Sequence, residues 1–243
     1  MELDCRQVFQ PTAGCNKSHK RLDAVPICKI KDKLILFIHV PRTGGTTIEH
    51  HLGEVGTVFF KSTADTSLMR VTAQHLHRSD LNAIFPPQTF DYAFMFVRNP
   101  FDRLRSVYTY QKSMRPMERI IPFAPWLRLA LMRRKWKPYY RDNHLRPQVE
   151  FEAFNAEVFR LEDGIDKAFD RLHELFGIRK PAAVDVLNSR SEPLPALSAS
   201  DMRLIRETYR ADFERYGYDA AGTAAPTKPP DGAVPPVIPA GNR

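Results

Sequence analysis

The stretch Arg42-Thr43-Gly44-Gly45-Thr46-Thr47 has the chemistry of an anion-binding turn. Two residues without Cβ let the backbone approach a ligand closely, hydroxyls follow, and a cation stands ahead of them. A helix starting here would point its free N–H groups at the same anion. The element that must position this turn is Leu34 to Val40, apolar except for His39 and rich in β-branched residues, which suits a buried parallel strand. Pro41 ends it. The spacing differs from GxxxxGK[ST], because Gly45 is followed by Thr46 and the basic residue, Arg42, precedes the glycines. The plain alternative is a strand-to-helix turn with glycines for geometry alone.

A second strongly apolar strand, Tyr92 to Val97, runs into Arg98-Asn99-Pro100, where proline suits the first turn of a helix over Phe101 to about Lys112. The recurrence of strand, polar turn and helix predicts one α/β domain. Its fold class is a P-loop-like doubly wound sheet of mainly parallel strands flanked by helices, with ligand at the carboxyl ends of the strands.

Further elements follow from periodicity. A helix is expected over Thr46 to Leu52, ending at Gly53, with His50 and His51 as a cationic cap rather than a metal pair. Strands are expected at Thr57 to Phe60, Val71 to His75 and Glu157 to Leu161. Ser79 should cap a helix through Ile84-Phe85, Asp163 to Phe176 should form an amphipathic helix ended by Gly177, and Ser198 or Ser200 should cap one closing helix through Arg215. Residues 1–32 read as an irregular N-terminal arm and 33–218 as the domain. Residues 219–243, with six prolines, six alanines and three glycines, read as a disordered tail.

The chain of 243 residues has a formal charge of +8, which calls for an anionic partner. The charge is concentrated, since Arg98 to Arg146 holds 13 Lys or Arg against Asp102, Glu118 and Asp142. Within it, residues 114–147 form a basic, aromatic insert with an apolar helical stretch at Trp126 to Met132. It reads either as a substrate clamp or as a solvated helix covering the core. Cys5, Cys15 and Cys28 lack CxxC spacing, so neither a disulfide framework nor a zinc site is indicated. With no apolar run of membrane-span length and no signal-peptide core, a cytoplasmic protein is expected.

Taken in order, several stretches resemble the carbohydrate-type sulfotransferases, the family 2 group. FIHVPRTGGTT at Phe37 to Thr47 resembles their 5′-phosphosulfate loop, with Arg42 where the family usually has Lys. FMFVRNPFDRLRSVY at Phe94 to Tyr108 resembles the 3′-phosphate element, RxPxxRxxSxY. Arg98 would leave the strand as a bidentate phosphate donor, and Ser106, two turns into the helix, would offer a hydroxyl to the same group. Gln74-His75-Leu76-His77 sits where such enzymes often carry a catalytic histidine. His144 to Gln148, Phe159 to Asp163 and Tyr209 to Tyr218 resemble later segments, so the likeness covers residues 34–218.

The resemblance implies in-line sulfuryl transfer from 3′-phosphoadenosine-5′-phosphosulfate (PAPS), as co-substrate, to a hydroxyl of a carbohydrate, glycolipid or other, also anionic, acceptor, without metal. It implies His75 as base and Arg42, Thr43, Gly44, Gly45, Thr46 and Thr47 as the phosphosulfate clamp. Arg98 and Ser106 are the implied 3′-phosphate site, and His77, His144 and Arg146 would face the acceptor. Arg103 would either assist or form a surface ion pair. Two alternatives are a phosphate-loop kinase or nucleotide hydrolase, and a nucleic-acid binder stacking bases on Trp126, Trp136, Tyr139 and Tyr140.

Overall fold

The computed structural model describes residues 23–62, 70–180 and 193–219. Cys5 and Cys15 and the Pro/Ala-rich stretch from 220 onward lie outside the described residues.

Among the described residues five strands form one sheet: β1 (Asp23–Ile30), β2 (Lys33–Ile38), β3 (Thr57–Ser62), β4 (Tyr92–Val97) and β5 (Glu157–Arg160), in the spatial order β3-β1-β2-β4-β5. β2, β4 and β5 pair in parallel, whereas β1 runs antiparallel to both β2 and β3. Four strands therefore point one way and β1 the other.

Alternate residues of the central strands feed two cores. Leu36, Ile38, Ala93, Met95 and Val97 face one side. There they meet α3 (Pro100–Met114), α4 (Phe123–Trp136), α6 (Ala199–Thr208) and α7 (Arg210–Tyr216). Ile35, Phe37, Tyr92, Phe94 and Phe96 face the other, against α1 (Gly45–Val55) and α5 (Asp166–Phe176). The two-sided burial explains why β4 reads as an unbroken apolar run. Truncating a central side chain such as Phe94 would remove about 3–5 kcal/mol.

Several expectations need correction. Part of the presumed irregular arm is β1, an interior strand. Pro26 falls where the β1–β3 register shifts between Ala24 and Ile27, and such a bulge tolerates the missing N–H. Val71 to His75 is not a strand. His75 N–H bonds Thr72 O at 3.0 Å in a 3₁₀ turn, and Thr72 N–H goes to the Asp142 carboxylate, so no ladder is available. α1 runs through Gly53 to Val55, and α2 (Arg78–Ile84) is capped by His77 with Asp80 rather than by Ser79. The closing helix breaks at Tyr209, whose hydroxyl donates to Leu145 O at 2.7 Å, while Ser198 caps its first half with Asp201.

Candidate active site

The turn after β2 is closed by Thr43, whose wholly buried hydroxyl donates to Val40 O at 2.9 Å. Gly44 has φ 87°, and Arg42 is also left-handed at φ 72°, a costly state for a residue with a side chain. Gly45 opens α1 with no room for a Cβ, which would lie 2.2 Å from His39 Nε2. The imidazole of His39 thus underlies the turn, and its Nδ1 is 2.5 Å from Glu49 Oε1. Thr46 is exposed and Thr47 buried.

Arg42 reaches across to α3. Its Nε donates to Ser106 Oγ at 3.1 Å, and its guanidinium carbon sits 4.9 Å from the ring centre of Tyr110, one turn beyond Ser106. The two phosphate elements foreseen separately in the sequence therefore meet.

Arg98 leaves the carboxyl end of β4, half-buried. The buried amide of Gln148 grips its backbone on both sides, accepting from Arg98 N–H at 2.9 Å and donating to Arg98 O at 2.8 Å. Asp212 of α7 in turn accepts from the N–H groups of Gln148 and Val149 at 2.9 and 3.0 Å. The closing segment is thus scaffold for the strand end. Asn99 caps α3 by accepting from Phe101 N–H at 2.9 Å.

Arg103 is neither an assisting cation nor a surface ion-pair member. It is 1% exposed and donates to the carbonyls of Pro41, Arg146 and His144 at 3.0, 2.9 and 3.2 Å. One guanidinium thereby fixes the turn after β2 to the 144–146 segment.

The His75 ring, on a residue 4% exposed, makes both of its hydrogen bonds among the described residues at Nδ1. Asp142 Oδ2 lies 2.6 Å away and Thr72 Oγ1 3.2 Å. The Asp142 carboxylate also accepts from Thr72 N–H at 2.7 Å and from the Thr72 hydroxyl at 2.8 Å. Burial alone would raise this carboxyl, but the bonds from His75 and Thr72 outweigh it and hold Asp142 well below the usual range. Burial also lowers His75, more than the contact with Asp142 raises it. The pair is therefore neutral imidazole beside carboxylate, with the proton on Nδ1 and the lone pair on Nε2. Asp142 stands in a run of three left-handed residues, Arg141, Asp142 and Asn143, at φ 58°, 55° and 60°. Asn143 fixes the run by donating to His75 O at 2.9 Å.

The His75 ring meets His39 edge-on at 5.1 Å on one side and His144 at 4.9 Å on the other. His144 lies flat against Tyr110, at 5.2 Å and 2°. Its Nδ1 donates to Arg141 O at 2.8 Å. Burial, then the neighbouring His75, keep it well below a free histidine, and Arg42 adds to the effect. Rings and cation so connect the base candidate to the turn after β2. His75, Asp142 and His144 place ligand atoms within 4.8 Å of one another, as a metal site would, but Asp142 is already occupied by Thr72 and Arg42 adds positive charge nearby.

Other candidates fall away from this centre. His77 places Nδ1 against Asp80 and its ring edge against Tyr139, so it is spent as a helix cap. Arg146 is buried and bonded to Asn143 Oδ1, Glu150 and Pro138 O, and braces its loop. His50 and His51 contact Glu54 rather than the helix-end carbonyls. Trp126 is buried, donating to Glu118 Oε2 at 3.0 Å, so it offers no stacking platform. Cys28 is a buried free thiol, pushed up to about 11 by burial.

A glycine turn after β2, a cationic residue at the end of β4 and a histidine–carboxylate pair are carried by one two-sided α/β sheet. The model described as "Sulfotransferase family" matches residues 28–219, so the chain belongs to the sulfotransferase family. Comparisons with curated proteins and with solved structures returned no match.

Proposed function

We propose that the protein transfers a sulfuryl group from PAPS to a hydroxyl of a carbohydrate or glycolipid acceptor, without metal, with His75 as general base. The observation that supports this reading is the 3.1 Å contact between Arg42 Nε and Ser106 Oγ, which joins the turn after β2 to α3, the two segments we assign to the phosphates. A single phosphate would need only one of them; a nucleotide charged at both 5′ and 3′ positions uses both. The bare backbone of Gly44 and Gly45 and the start of α1 suit the 5′ end, and Arg98 with Ser106 suits the 3′-phosphate.

The donor supplies an activated sulfuryl group, and the chain's residues do the rest. His75 Nε2 takes the proton of the acceptor hydroxyl as its oxygen bonds to sulfur and the bond from sulfur to the bridging oxygen breaks. Asp142 keeps the proton of neutral His75 on Nδ1 and stabilises the imidazolium that forms. Arg42 and the N–H groups opening α1 hold the charge that grows on the bridging oxygen, the place where a point-like lysine ammonium would otherwise stand. Arg103 keeps the turn and the 144–146 segment in register.

The test is transfer of radiolabelled sulfate from PAPS to a panel of glycans and glycolipids in the presence of EDTA. Labelled product at an undiminished rate supports the reading. Activity that needs magnesium, or phosphate transfer from ATP instead, contradicts it.

A further inference from the structure

α4 is apolar on two sides, and among the described residues one of them packs into the core. Phe123, Trp126, Leu127, Ala130 and Leu131 are buried in the core. At helical spacing, Pro125, Leu129, Met132 and Trp136 form a second stripe on the opposite side. Met132 is 52% and Trp136 84% exposed. The turn leading into the helix adds Met117 at 86% and Ile120 at 87%. A surface helix of a globular domain ordinarily turns polar residues outward, so an outer stripe of this kind needs another partner.

Its surroundings say which. From Arg119 to Arg141 the chain has seven Lys or Arg and no Asp or Glu. Arg128 and Lys135 border the stripe on one side and Arg133 on the other, and exposed Lys137 follows Trp136. Arg134 and Arg141 are committed to Glu150 and Glu118, and Arg128 leans on Ser200 and Asp201. Arg119, Lys135 and Lys137 are exposed. An apolar stripe ending in tryptophan and edged by cations matches the boundary of a bilayer, where the indole sits at headgroup level and lysines meet phosphates. We propose that the outer face of α4 docks the protein on the surface of an anionic phospholipid bilayer, lying on it without crossing it. Among the described residues no helix is long and apolar enough to span a membrane, which agrees with attachment of this kind.

Co-sedimentation of the full chain with vesicles tests the proposal. Phosphatidylglycerol-containing vesicles should pellet the protein at low salt, pure phosphatidylcholine about tenfold less, and high salt should release it. The chain has two tryptophans and Trp126 is already buried, so a blue shift of emission on adding vesicles reports Trp136. Met132→Asp with Trp136→Asp should abolish pelleting and shift, and Lys135→Glu with Lys137→Glu should weaken binding about tenfold or more. These positions are exposed, and unchanged circular dichroism separates lost docking from lost folding. Absence of pelleting at low salt overturns the proposal, as does pelleting that survives Met132→Asp with Trp136→Asp. So does a finding that the same pair converts a dimer into monomers, which would assign the stripe to a second copy of the chain.

Discussion

His75 Nδ1 and Asp142 Oδ2 are 67 residues apart in the chain and 2.6 Å apart in space, and Thr72 donates twice to the same carboxylate. Three donors on one carboxylate fix its charge and orientation, and so fix which imidazole nitrogen carries the proton.

Asp142→Asn should therefore lower kcat by about 100- to 10,000-fold, as should His75→Ala, with binding of adenosine 3′,5′-bisphosphate nearly unchanged. The pH profile separates the two. His75 is lowered by burial, so kcat/KM should rise with pH through a value below that of a free histidine and then level off. Because the carboxylate raises His75, its removal should move the acidic limb of Asp142→Asn to still lower pH. A limb that moves upward, or an Asp142→Asn variant of full activity, would remove Asp142 from this role.

The close approach of His39 to the Gly44-Gly45 turn predicts a size limit at Gly45. A methyl group there meets the imidazole at 2.2 Å, so Gly45→Ala should weaken bisphosphate binding about tenfold or more by displacing either the turn or the ring. His39→Ala in the same chain should recover part of the loss, because the obstructing ring is gone. Calorimetry on the single and double variants reads this directly; strictly additive losses would show that the turn does not rest on His39.

Arg103 is predicted to matter to the fold before the chemistry. Replacing it with Met leaves the carbonyls of Pro41, His144 and Arg146 without their donor, at about 2–4 kcal/mol of stability. Denaturant unfolding should show that loss. Stability equal to the parent would mean that water takes over all three bonds.

What could be read in the sequence was what local pattern encodes. Leu34 to Val40 and Tyr92 to Val97 announce buried strands because both of their faces are covered, and each runs into its polar turn without interruption. β1 was hidden because Pro26 reads as a break, and only the register shift against β3 reconciles proline with an interior strand. The supposed strand at Val71 to His75 failed because a side chain from a distant loop, Asp142, took the backbone donor that a ladder would have used. Asp142 itself carries no local signal: it sits among basic residues, and its partner is set by the fold. The same holds for the arginines, since spacing does not distinguish Arg103, buried on three carbonyls, from Arg146, committed to its own loop.

The most direct test of the account is whether the protein recognises the 3′-phosphate through the joined elements. Isothermal calorimetry should show adenosine 3′,5′-bisphosphate binding more tightly than adenosine 5′-monophosphate by about 2–4 kcal/mol, the scale of a partly buried charge-assisted contact. Arg98→Ala should erase that difference while leaving the monophosphate affinity close to the parent's, and Ser106→Ala should reduce it. Equal affinity for the two nucleotides, with Arg98→Ala binding both as the parent does, would contradict the assignment of this site.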